Sequence, residues 1–112
     1  MPYINEEQRK MVDHCVNDVV LCIKTTLINK DNVNTFKIEK TSNQEMLILC
    51  GVLNYVITRL CAKLISDVSY PKIAMITGVL ENVKQEFYRR LAGPYEDQKI
   101  LQNGDVTEYK HI

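Results

Sequence analysis

Ser42-Asn43-Gln44-Glu45 stands directly ahead of the apolar run that begins at Met46, and this junction constrains the fold more than any other segment of the chain. A serine hydroxyl can accept the backbone N–H three residues on, while the glutamate at that position reaches back to the serine N–H. A helix is therefore expected over about 43–66. Met46, Leu49, Leu53, Ile57, Leu60 and Leu64 recur along it at helical spacing, with Cys50, Val56 and Cys61 widening the stripe. The opposite face is less usual. Gly51, Tyr55, Thr58 and Ala62 align there, flanked by Asn54 and Arg59, so it is small or neutral rather than thickly charged. Glycine inside a helix costs up to about 1 kcal/mol relative to alanine, which asks for close approach of another backbone or a ligand at Gly51.

Two further helices follow from the same reasoning. Asn5 with Gln8 three residues on, and Glu6 and Glu7 beside the positive helix end, start a helix over about 6–27. Its stripe is Val12, Cys15, Val16, Val19, Ile23 and Leu27. Pro71, with Ser69 as cap, opens a third over about 71–92, striped by Ile73, Ile76, Leu80, Val83, Phe87 and Leu91. Gly93-Pro94 is expected to stop it. Met75, Val79, Asn82, Glu86 and Arg89 lie off that stripe with Gly78 among them, a second mixed face.

Between the first two helices, residues 29–42 lose the periodicity and are read as a loop. Thr35 to Lys40 alternates polar and apolar, so Phe36 and Ile38 either form a short extended arm or pin the loop. After Pro94, Asn103-Gly104 is a hairpin signal, because a type I′ turn needs positive φ at both central residues. The tail 94–112 is expected to be an extended arm or a short β-hairpin that docks on something, since an isolated hairpin is marginal in water. The expected fold is thus mainly all-α: a single domain, a three-helix bundle with a C-terminal tail, assembled as a homodimer or higher homo-oligomer.

At 112 residues the chain can bury roughly two-thirds of its unfolded surface in one core. Lysine plus arginine equals aspartate plus glutamate, 14 each, so no global field draws it to nucleic acid or an anionic membrane. No stretch reaches about eighteen uncharged apolar residues and the N-terminal decapeptide has no apolar core, so a soluble protein that is not exported is expected. Cys15, Cys22, Cys50 and Cys61 include no C-x-x-C and lie within the helix patterns, where reduced, buried thiols are expected. Zinc is disfavoured, since His14 and His111 lie near opposite ends of the chain.

The densest cationic and aromatic cluster is Lys84, Tyr88, Arg89 and Arg90. Part of it is ordinary helix chemistry, with cations complementing the helix dipole and Glu86 to Arg90 an i,i+4 pair. The other reading is an anion site, with arginine forks on phosphate and tyrosine as stacking face. Asn54, Tyr55, Arg59, Asn82, Tyr88, Arg89 and Arg90 are the candidate ligand residues. Gly51, Thr58, Ala62, Gly78 and Tyr95 are the candidate interface residues.

LNYVITRL at 53–60, GVLENVKQEFYRRLAGPYEDQKI at 78–100 and NGDV at 103–106 resemble a family of small, uncharacterised phage and prophage proteins. The resemblance implies a phage accessory product in the cytoplasm of a bacterial host. By analogy with other small phage proteins it implies a non-catalytic sponge that sequesters a cyclic nucleotide immune signal. The alternative is an interaction module that binds and inhibits a host defence protein. No Ser/His/Asp or Cys/His arrangement, P-loop or metal-binding helix is evident, and no cofactor is called for. A nucleotide pyrophosphohydrolase would need paired E-x-x-E/D carboxylates for magnesium, and that spacing occurs only from Asp105 to Glu108, so this remains a remote alternative.

Overall fold

A computed structural model describes residues 4–27 and 41–110. Helix α1 spans Glu6–Thr25, α2 Asn43–Leu64, α3 Tyr70–Phe87 and α4 Gly93–Asn103; a π turn, Tyr88–Ala92, joins α3 to α4, and a 3-10 turn follows at Thr107–Tyr109. Among the described residues every regular element is helical, as the all-α expectation requires. The chain divides between Leu64 and Ile65 into two units. The 29–40 part of the anticipated loop, with the Phe36 and Ile38 arm, lies outside the described residues.

The first unit is built from α1 and α2. Asn5 Oδ1 accepts Gln8 N–H at 2.9 Å and Gln8 Oε1 accepts Asn5 N–H at 3.0 Å, closing the α1 capping box. At α2, Ser42 Oγ accepts Glu45 N–H at 3.1 Å and Glu45 Oε1 accepts Ser42 N–H at 3.2 Å. Both starts fall where the sequence places them, because they depend only on residues three apart. The two helices meet, and the half-buried positions include Ile23 on α1, Leu27 just beyond its end, and Leu49, Val52 and Val56 on α2.

In the second unit Ser69 Oγ caps α3 at the Lys72 N–H, 3.4 Å away, with Pro71 in the first turn. The end of this helix departs from expectation. Gly93 has φ −54° and ψ −59°, within the helical region, and its N–H bonds to Tyr88 O five residues back. The π turn ends on Gly93, so Pro94 falls in the first turn of α4, where a missing N–H leaves no intrahelical bond unmade. Gly93-Pro94 therefore stands at the passage from the π turn into α4 instead of stopping the helix.

The anticipated C-terminal arm or hairpin is likewise corrected, since 93–103 is helix. A type I′ turn needs positive φ at both Asn103 and Gly104. Only Gly104 has it, at 85°, and its N–H bonds to Ile100 O at 2.8 Å, so the Asn-Gly pair ends a helix.

No residue of α1 to α4 is buried. The stripes expected to form a core, including Leu53, Leu60, Leu80, Val83 and Phe87, are exposed. The thiols are reduced but not buried: Cys15, Cys22 and Cys50 are exposed and Cys61 is half-buried. A stripe gains the 1.5–3 kcal/mol or so of burying each large side chain only when a second surface covers it. One property of α2 was not anticipated: it is long and apolar enough to cross a membrane, with mean hydropathy 1.6 over its best window. Its few charges lie towards its ends, at Glu45, Arg59 and Lys63, so the strict count of uncharged residues misses it.

Candidate functional site

On the second unit an open cleft of about 350 Å³ is lined by Glu81, Lys84, Gln85, Tyr88 and Arg89. These residues share one side of the helix because 81, 84, 85 and 88 recur at steps of three and four. The cleft straddles the entry to the π turn, a geometry found mostly as single insertions in helices and often at functional sites. Three of its residues, Lys84, Tyr88 and Arg89, come from the cluster singled out in the sequence. Glu81 and Gln85 were not foreseen as site residues, although their i,i+3 and i,i+4 spacing to Lys84 and Tyr88 is the signal that finds them.

The cations here are already engaged. Arg89 Nη2 donates to both Glu86 oxygens at 2.9 Å, and Arg90 Nε donates to Glu86 Oε1 at 2.8 Å. The hydrogen bonds from Arg89 and then Arg90 hold the Glu86 carboxyl down to about 2 from 4.5. Glu81 is also held below its usual range, chiefly by the Gln85 amide at 3.1 Å and then by Lys84, whose Nζ lies 3.5 Å away. Three cations against two carboxylates leave one net positive charge around an aromatic ring. Such a surface can take a planar anion or a partner's carboxylate beside an apolar contact.

The other ligand candidates lie elsewhere. In the first unit the Arg59 guanidinium sits 5.9 Å from the Tyr55 ring centroid, a cation–π contact on one face of α2. Thr58 Oγ1 donates to the Asn54 backbone carbonyl at 2.8 Å and lies 3.3 Å from Asn54 Oδ1, so both side chains serve their own helix. Asn82 is exposed on α3 and does not line the cleft. Of the seven candidate ligand residues, each unit therefore holds a part: Asn54, Tyr55 and Arg59 in the first, Asn82, Tyr88, Arg89 and Arg90 in the second.

Among the interface candidates, a Cβ built on Gly51 or Gly78 meets nothing within 4 Å. Among the described residues, none approaches these glycines closely enough to explain them. Thr58 and Ala62 lie on the same α2 face, and Tyr95 on α4 is exposed with Lys99 Nζ 5.5 Å from its ring centroid. Among the described residues no group of three His, Cys, Asp or Glu side chains is placed to hold a metal.

A family model described as a domain of unknown function, DUF6899, matches residues 1–106. The chain belongs to the DUF6899 family. The match takes in all four helices, so α4 and the π turn that leads to it are within the DUF6899 domain. No curated protein and no solved structure matches this DUF6899 chain.

Proposed function

We propose that the chain is a non-catalytic association protein, a helical module that acts by covering and being covered by another protein surface. The observation that carries this reading is the solvent exposure of the apolar stripes of α2 and α3. Stripes of this regularity mark faces that pack, and exposed apolar surface on this scale is characteristic of interaction sites. In the role of a phage accessory product in a bacterial cytoplasm, such a module assembles with itself or occupies a host defence protein. Concentration-dependent melting tests it. If association completes the fold, the melting temperature rises over about a hundredfold range of protein concentration. A melting temperature that is independent of concentration overturns self-association.

A second reading, capture of a cyclic nucleotide, draws on the cleft, where Tyr88 offers a stacking face beside Lys84 and Arg89. The paired state of Arg89 weighs against it, because phosphate must compete with Glu86. At a hundred times its dissociation constant a bound cyclic di- or trinucleotide adds about 2.7 kcal/mol to stability, and Tyr88→Ala removes the gain. No melting shift with any such nucleotide rejects this reading.

A further inference from the structure

Pro94 has no backbone N–H, and a proline ring inside a helix crowds the carbonyl four residues back. In an unbroken α-helix that carbonyl would be the one of Arg90, and the helix would bend or break there. The chain meets this demand with the π turn. Gly93 N–H bonds to Tyr88 O, five residues back, so one extra residue enters the turn directly before Pro94. Helix α4 then starts afresh with Pro94 in its first turn, where no N–H is called for. Gly93 itself does not require the extra residue: its φ and ψ are helical, and a Cβ built on it meets no side chain within 4 Å.

The extra residue changes which face of α4 continues the side of the helix that carries the cleft. Tyr95 and Lys99 follow Tyr88 by seven and eleven residues. In an unbroken α-helix, at about 100° per residue, both would fall within about 20° of the direction of Tyr88. One added residue turns them back by about 100°, off that side, and carries Glu96 and Ile100 onto it. Tyr95 and Lys99 are left to each other, with Nζ 5.5 Å from the ring centroid. We infer that Pro94 is a positioning residue that imposes the π turn and through it sets the phase of α4, so that an acidic and an apolar side chain, not an aromatic and a cationic one, extend the cleft side. The Glu86 clamp, which ties α3 to Arg89 and Arg90 within the turn, holds side chains in the register that Pro94 selects. The device lies wholly within the second unit, so it works whatever covers the helices.

Amide residual dipolar couplings of the full chain test the inference, because along a helix they trace a wave whose phase follows the residue spacing. Between α3 and α4 the wave of the parent is expected to jump by about 100°. Pro94→Ala should remove the jump and move the hydrogen bond of Gly93 N–H from Tyr88 O to Arg89 O, read by the scalar coupling across the bond. Gly93→Ala, which keeps Pro94, should retain both parent readings. If Pro94→Ala proves insoluble, Pro94→Glu, which also restores a helix former, gives the same reading. A jump that persists without Pro94 overturns the inference, as does a parent that shows none. Loss of the jump with Pro94 in place overturns it too, assigning the register to the glycine if Gly93→Ala causes it and to the clamp if Glu86→Gln does.

Discussion

Arg89 grips Glu86 through a single terminal nitrogen that lies 2.9 Å from both carboxylate oxygens, and Arg90 Nε adds a third hydrogen bond, 2.8 Å long, to one of those oxygens. The last residue but one of α3 is thereby tied to two consecutive residues of the π turn. The residues three and four along a helix both lie within reach of a glutamate, and here it holds both at once. The clamp therefore fixes side chains across the point where the helical repeat changes.

The clamp has a pH signature. Glu86 is held at about 2 by Arg89 and then Arg90, below its ordinary 4.5. For a depressed carboxyl the stabilising contribution is complete above about pH 4.5 and is lost as pH falls through about 2. A carbon-13 NMR titration should place the Glu86 midpoint near 2. A midpoint near 4.5 means that the clamp does not form in solution.

Ser42→Ala removes the hydroxyl that accepts the Glu45 N–H at the start of α2. Loss of such a cap costs about 1 kcal/mol, and Ser42→Asn, which can still accept, should recover most of it. The urea midpoint of unfolding measures both. Equal midpoints for parent and alanine variant would show that the cap does not contribute.

Gly104 is the one described residue with positive φ, 85° with ψ 162°, a conformation essentially reserved for glycine. Gly104→Ala should therefore cost about 1–3 kcal/mol and fray the end of α4. Hydrogen exchange at the Gly104 amide, whose N–H bonds to Ile100 O, should accelerate in the variant. An unchanged exchange rate would show that positive φ at residue 104 does not hold the end of α4.

The Tyr55–Arg59 pair is exposed, with 5.9 Å between guanidinium and ring centroid. A double-mutant cycle with Tyr55→Ala and Arg59→Ala should give a coupling of about 0.5–1 kcal/mol at most. A coupling well above that range would indicate that another surface covers this face of α2 and removes water from the pair.

The contrast between the two ends of the chain shows which parts of the fold can be read from sequence. Asn5–Gln8, Ser42–Glu45 and Ser69 with Pro71 each announced a helix start, because capping is decided within four residues. Gly93-Pro94 and Asn103-Gly104 misled for the opposite reason, since each pair suits two conformations. Glycine-proline ends a helix in most contexts, yet a π turn supplies a break in the bonding ladder that proline can occupy. Asn-Gly makes a hairpin only if Asn103 also adopts positive φ, and the apolar and polar residues before it were already committed to a helical repeat. At the candidate site the cluster of Lys84, Tyr88 and Arg89 was legible as composition. The Glu86–Arg90 pair was legible too, from its i,i+4 spacing; the Arg89 bonds to Glu86 and the hold of Gln85 and Lys84 on Glu81 were not, because such contacts depend on rotamers that spacing only permits. The stripes were legible as apolar faces, and what covers them was not, since periodicity reports that a face must be covered without saying by what.

The two reciprocal caps, at Asn5 and at Ser42, also bear on the order of events in time. Starting a helix is its slow and costly step, and a cap that binds the first free N–H groups eases it without help from distant residues. Newly made α1 and α2 therefore sample their helical state within microseconds. On the association reading, two chains would then meet as helices already formed, and the rate of association would scale with the product of their concentrations and not with a unimolecular folding barrier.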